Sequence, residues 1–233
     1  MIKAVFFDWF NTLADFKPPR HELYGQAFWQ FGIELPPEDV IRGVLIADRH
    51  FFEENVKSPV RTRNPQEQME VYLHYPKAIL AESEVKAPEE LSLKVIQIVT
   101  EQFKKSTFVL FDDVLAALEA LKQRNLILGL LTNATKDTIS VYHELGLESY
   151  LNFVITSEEA GADKPKPLIF RAALARAGVN AAEAVHIGDQ YELDVVGARE
   201  VGIVPILIDR YNIHPEVSDC SRIHNLTELS EIL

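Results

Sequence analysis

Five short stretches of the chain are almost uninterrupted in apolar residues: IKAVFFD at 2–8, LILGLLTN at 126–133, FVITS at 153–157, AVHIGD at 184–189 and VPILID at 204–209. Each has the length of a β-strand, and a run without polar alternation predicts a strand covered on both faces. From residue 113 onward these runs alternate with stretches of helical period: DVLAALEALKQRN at 113–125, KDTISVYHELGL at 136–147, PLIFRAALARAG at 167–178 and ELDVVGAREVG at 192–202. Several of them stop at glycine, as a left-handed C-cap does. Alternation of this kind predicts βαβ units, right-handed crossovers and a parallel sheet. Ligands of such sheets bind outside the carboxyl ends of the strands.

The first and second runs are separated by about ninety residues with no comparable strand. Helical patterns fill the gap: RHELYGQAFWQFG at 20–32, PEDVIRGVLIADRHFFEEN at 37–55, NPQEQMEVYLHY at 64–75 and PEELSLKVIQIVTEQFKK at 88–105. The pattern therefore predicts a core from residues 1–16 and 106–233, with 17–105 as an inserted helical lobe over the site. Pro18-Pro19 and the KSTF stretch at 105–108 are the expected hinges. The Trp–Phe stripe of the first helical segment reads as packing surface.

Composition narrows the partners. A formal net charge of −12 argues against nucleic acid or an anionic membrane surface, but not against a small anionic substrate met by a local cation. The single cysteine, Cys220, permits no internal disulfide and fits a reducing, cytoplasmic setting. No leader or membrane-spanning run is expected. Oligomeric state is not encoded in any pattern found.

Four of the five runs end in polar residues: Asp8, Thr132 with Asn133, Ser157, and Asp189. A parallel sheet brings these ends to one edge. There Asp8 and Asp189, with Asp194 a helical turn beyond, repel one another unless a cation stands between them, and an all-oxygen donor set suits Mg²⁺. His186, inside an apolar run, reads as a core histidine.

The stretches FFDWFNTL, LLTNAT, GADKPKPLIF and HIGDQYELDVVGAR, in this order and spacing, resemble the haloacid dehalogenase (HAD) superfamily, most nearly its members with a helical cap inserted after the first strand. The resemblance covers the whole chain. It implies an α/β fold, a three-layer Rossmann-like parallel sheet with an all-helical cap, and a set of roles. Asp8 matches the nucleophile that forms a covalent intermediate. Thr132 matches the hydroxyl that holds a transferring phosphoryl oxygen, and the adjacent Asn133 is expected to face the substrate. Lys164 matches the lysine that neutralises the nucleophile and the developing charge. Asp189 matches a Mg²⁺ ligand with Asp194 as its outer support, Phe10 contributes its backbone carbonyl to the metal, and Thr12 orders the loop that carries Asp8.

One position departs from the phosphatase pattern. Phosphatases of this family place a second aspartate two residues after the nucleophile, to protonate the leaving alkoxide. Here that residue is Phe10. A departing halide needs no proton, so Phe10 pulls toward a 2-haloacid dehalogenase. The metal-type ending GDQYELD pulls back, because dehalogenases use no metal. The balance favours Mg²⁺-dependent cleavage of a small phosphorylated metabolite through an aspartyl-phosphate. The alternatives are carbon–halogen hydrolysis, phosphonatase-like cleavage, or a weakly active, ligand-binding member. Asp15, His21, His50, Glu53, Glu54 and Tyr191 are the residues that could supply the missing proton. Arg49 sits at a distance from Asp8 loosely like that of the dehalogenases' carboxylate-binding arginine.

Overall fold

The computed structural model describes residues 1–134 and 141–233. In chain order it contains β1 (Ala4–Phe7), β2 (Ala14–Lys17), α1 (Arg20–Trp29), α2 (Pro37–Lys57), α3 (Pro65–Tyr72), α4 (His74–Glu82) and α5 (Glu89–Phe103). These are followed by β3 (Thr107–Leu110), α6 (Val114–Gln123), β4 (Ile127–Thr132), β5 (Phe153–Thr156), α7 (Pro167–Ala177), β6 (Ala184–Gly188), β7 (Val204–Ile208) and β8 (Ser221–Ile223). The start of the helix predicted over 136–147 lies outside the described residues; Val141–Glu144 is helical.

The chain divides into two compact units, Met1–Asp15 with Phe108–Leu233, and Phe16–Thr107. The first is a six-stranded sheet in the order β5-β4-β1-β6-β7-β8, parallel at every pairing. The five apolar runs are its first five strands. β8 was not predicted: it is three residues long, only Ile223 is fully buried, and it sits at the sheet edge where one side needs no apolar cover. The predicted helix over 192–202 begins instead as a wide π-helical turn, Tyr191–Val196, and becomes α-helical only over Gly197–Glu200.

The period of two along each strand divides the core. Val5, Phe7, Leu128, Leu130, Val185 and Ile187 pack with Val114, Leu118 and Leu121 of α6. Ala4, Phe6, Leu131 and Ile155 point the other way, onto Ile169, Phe170 and Ala173 of α7. This is why the runs read as continuous: each residue has a covered face to enter, and a buried Leu, Ile or Phe is worth about 1.5–3 kcal/mol. Phe7 is level with Leu130 of β4 and with Ile187 of β6, so the ends of these three strands open at one edge.

The second unit is helical and has its own core, in which Leu23, Phe28, Val44, Ile79, Val95 and Val99 meet. Gly43 is fixed by a close approach, since a Cβ there would stand 2.4 Å from the Ile79 Cα of α4. Buried within this unit, Asp48 accepts both terminal nitrogens of Arg20, each at 2.5 Å, and the Tyr75 hydroxyl at 2.7 Å.

Candidate active site at the carboxyl edge of the sheet

Asp8 is the first residue after β1, and its N–H continues the ladder by donating to the Ile187 carbonyl at 2.8 Å. Its side chain is drawn to Lys164, whose ammonium bonds to Asp8 Oδ1 and, at 2.6 Å, to Asp194 Oδ1. Lys164 is 2% exposed, so the solvated surface position that its turn-rich surroundings suggest is not where it lies. Burial acts to lower its pKa, but the Asp194 and Asp8 carboxylates outweigh burial and hold the ammonium well above its usual range.

Asp194 is bound on every side. Oδ1 also meets His186 Nε2 at 2.8 Å, and Oδ2 accepts the Gln190 N–H at 3.1 Å. Burial disfavours its charge, yet Lys164 and His186 keep it ionised below the ordinary carboxylate range. Gly188 makes this possible, because a Cβ at that position would lie 2.1 Å from the Asp194 Cγ. The wide turn at Tyr191–Val196 carries Asp194 to this place, a use of π-helical geometry common at functional sites.

Asp189 completes the set. Its Oδ2 accepts Gln190 Nε2 at 2.8 Å and Asn11 Nδ2 at 3.1 Å. Burial, then Asp8, then Asp194 push its carboxyl well above the ordinary value. Burial likewise raises Asp8 to about 6, against the pull of Lys164. Oxygen atoms of Asp8, Asp189 and Asp194 all lie within 4.8 Å of one another, the one such group among the described residues. Three carboxylates face one ammonium, an excess of negative charge in an all-oxygen set that a small, hard divalent cation fits.

The neighbouring β4 brings Thr132, 3% exposed, with Oγ1 accepting the Ala134 N–H at 3.1 Å. Asn133 Oδ1 accepts the Lys164 N–H at 2.7 Å and its Nδ2 donates to the Lys164 carbonyl at 3.1 Å, so its amide holds the main chain of the lysine. Thr12 is fully buried under the loop. Phe10 is half-buried, its ring packed against the α6-side core and its backbone paired with Ala14. Arg49 belongs to the helical unit, on the exposed side of α2, where its Nε lies 3.6 Å from Glu53. Tyr191, offered as a proton donor, gives its hydroxyl to Asp219 at 2.7 Å.

Sequence reasoning missed three contributors. His186 is in the core, as expected, and stacks edge-on to Phe170, but it also holds Asp194. Asn11 adopts φ 58°, a left-handed conformation that asparagine tolerates, and so turns its amide to Asp189. Gln190 anchors both Asp189 and Asp194. The asparagine in an otherwise tight turn was a readable signal; nothing in sequence distinguishes His186.

This constellation can be compared with known proteins. The model of the haloacid dehalogenase-like hydrolases matches residues 2–202. The chain belongs to that family. Haloacid dehalogenase-like hydrolase domain-containing protein 3 of Bos taurus is 36% identical over 130 residues, 55% of this chain and 52% of the relative. Ribulose-1,5-bisphosphate 5-phosphatase of Halopiger xanaduensis is 38% identical over 101 residues, 43% of this chain and 42% of that enzyme. The chain thus spans about half the length of these curated relatives. Among solved structures, a 2-haloacid dehalogenase from Pseudomonas syringae superposes over 100% of this chain and 98% of its own at 27% identity, with a TM-score of 0.57.

Proposed function

We propose that the protein is a Mg²⁺-dependent phosphatase acting on a small phosphorylated metabolite in the cytoplasm, with the helical unit as its substrate-selecting cap. One observation carries the reading: three convergent carboxylates with a single ammonium among them. A neutral carbon–halogen bond has no use for that charge, whereas a cation-filled site meets a phosphate. The phosphatase named among the relatives supports the same choice.

An Asp8 carboxylate oxygen attacks phosphorus, the phosphorus–oxygen bond to the leaving group breaks, and an aspartyl-phosphate forms on Asp8. Lys164 balances charge on Asp8 and on the phosphoryl oxygens, and Thr132 Oγ1 donates to one of them. Water then attacks the phosphorus, releasing inorganic phosphate and restoring Asp8. Asp8, Asp189 and the Phe10 carbonyl, supported by Asp194, would hold Mg²⁺, which supplies further neutralisation of phosphoryl charge. Asn133 fixes the Lys164 backbone, and His186 with Gln190 fixes Asp194. With Phe10 in place of an acid, the leaving group departs as an anion and takes its proton from water.

The second reading, 2-haloacid hydrolysis, has Phe10 and the superposition on a dehalogenase in its favour. A panel of phosphate esters and acyl phosphates, assayed with Mg²⁺ and with EDTA beside halide release from 2-haloacids, separates the two. Phosphate release that EDTA abolishes is expected. Halide release indifferent to EDTA would overturn the proposal.

A further inference from the structure

The loop after the nucleophile closes on itself: the Leu13 and Ala14 N–H groups donate to the Trp9 carbonyl at 2.9 and 3.0 Å, and the Asn11 N–H donates to the Ala14 carbonyl at 2.8 Å. The carbonyls of Asn11 and Thr12 turn to Arg210, a residue outside all four motifs. Arg210 Nε donates to the Asn11 carbonyl at 3.2 Å and Nη2 to the Thr12 carbonyl at 2.7 Å. The remaining edge is fixed as well, with Nη1 on Asp113 Oδ2 at 3.0 Å and the guanidinium carbon 3.9 Å from the centre of the Phe111 ring. Asp113 is itself tied by the Leu226 N–H at 2.6 Å.

The platform under Arg210 is equally determined. The preceding residue, Asp209, is buried at the end of β7, and its carboxylate accepts the Ile213 and His214 N–H groups at 2.8 and 3.0 Å and Arg222 Nη1 at 3.0 Å. A planar guanidinium with three edges engaged has one orientation, unlike an ammonium on a flexible stem.

We propose that Arg210 is a positioning residue for the nucleophile. Its fork holds two successive carbonyls of the loop that begins at Asp8, and one of them belongs to Asn11, whose side chain orients Asp189. The nucleophile Asp8 and the metal-site carboxylate Asp189 are thus positioned by one cation that bonds to the loop and not to either carboxylate. The inference rests on the phosphatase reading for its kinetic consequence, and on geometry alone for the loop.

The test compares Arg210→Met and Arg210→Lys with the wild-type protein by p-nitrophenyl phosphate hydrolysis with Mg²⁺, hydrogen exchange over residues 9–14, and thermal melting. Misplacing a reacting group by about 1 Å costs roughly 100-fold, so Arg210→Met should lose about 10- to 100-fold in kcat while KM moves less than about threefold. Amides at 9–14 should exchange faster, and Arg210→Lys should recover part of kcat because an ammonium can serve one carbonyl. A lower melting temperature with wild-type kcat per folded molecule would overturn the proposal and leave Arg210 a structural staple. Where Arg210→Met does not fold, Arg210→Lys decides: wild-type kcat overturns the idea, and a loss of about three- to tenfold supports it. If the wild-type protein itself releases no phosphate, the phosphatase reading falls. The exchange arm then still decides this one, unchanged protection at 9–14 being the refuting result.

Discussion

Replacing Asp8 by asparagine should destroy turnover and, in the absence of metal, make the protein more stable. Burial sets the Asp8 carboxyl at about 6 against an ordinary 3.8, even with Lys164 beside it. Each pKa unit corresponds to about 1.4 kcal/mol, so keeping Asp8 ionised in the fold costs on the order of 3 kcal/mol. The amide carries no charge to desolvate and still offers Oδ1 to Lys164, but it must itself be buried, which removes part of the gain. A net stabilisation of about 1–3 kcal/mol is expected at pH 7.5 in EDTA, or several degrees in melting temperature at about 2–4 °C per kcal/mol. The sign with pH follows from the raised value. Below 3.8 Asp8 is protonated in both states and contributes no penalty; the penalty enters as pH rises from 3.8 to about 6 and is complete above it. The advantage of Asp8→Asn should therefore be full at pH 7.5 and shrink toward pH 4.5. Saturating Mg²⁺ should raise the wild-type protein more than the variant, by mass action on the carboxylate. Melting curves at several pH values in EDTA provide the measurement. A variant no more stable than the wild type, or an advantage that does not narrow in acid, refutes the account of Asp8 as a buried, charge-strained carboxylate.

Two further outcomes follow from neighbouring residues. Asn133→Ala strips both bonds from the Lys164 backbone; at about 1–3 kcal/mol for a buried group left unsatisfied, it should lower the melting temperature and reduce kcat about tenfold, with Asn133→Asp restoring only part of each, because a carboxylate still accepts the Lys164 N–H but cannot donate to the Lys164 carbonyl. Phe10 removes an acid worth about 10²–10⁴-fold, so log kcat/KM should fall steeply with leaving-group pKa, and a flat plot would reveal a proton donor. Because the Phe10 ring packs against the core, Phe10→Asp should recover little of the slope and should melt earlier.

Most of the site could be read from sequence because the physics that buries strands also marks their ends. Asp8, Thr132 and Asp189 each follow an apolar run that packs on both faces, and a parallel sheet aligns such ends without knowledge of any contact. Lys164 was legible only through its motif; by composition alone it belonged on the surface. What stayed hidden depends on orientation. Asn133 stands at the right edge, but which way its amide turns is decided by the Lys164 backbone, 31 residues away. Arg210 follows a strand like any surface arginine, and its importance comes from carbonyls 198 and 199 positions distant. The wide turn at Tyr191–Val196 keeps the apolar spacing of an ordinary helix, so periodicity cannot reveal it.

The place of β1 in the sheet also governs how the molecule is made. It precedes every other strand of its sheet in the chain, yet it lies between β4 and β6, with Ala4 opposite Ile127 on one side and Ala184 on the other. A tetrapeptide of Ala, Val, Phe and Phe, destined to be covered above, below and along both edges, leaves the ribosome well over a hundred residues before its first neighbour and nearly two hundred before its second. At about 5–20 residues per second the wait for its first neighbour lasts about 6–25 s, with an apolar segment unpaired throughout. Such long-range pairing is slow and exposed to aggregation, so the strand that carries the nucleophile is also the one most in need of protection while the chain is incomplete.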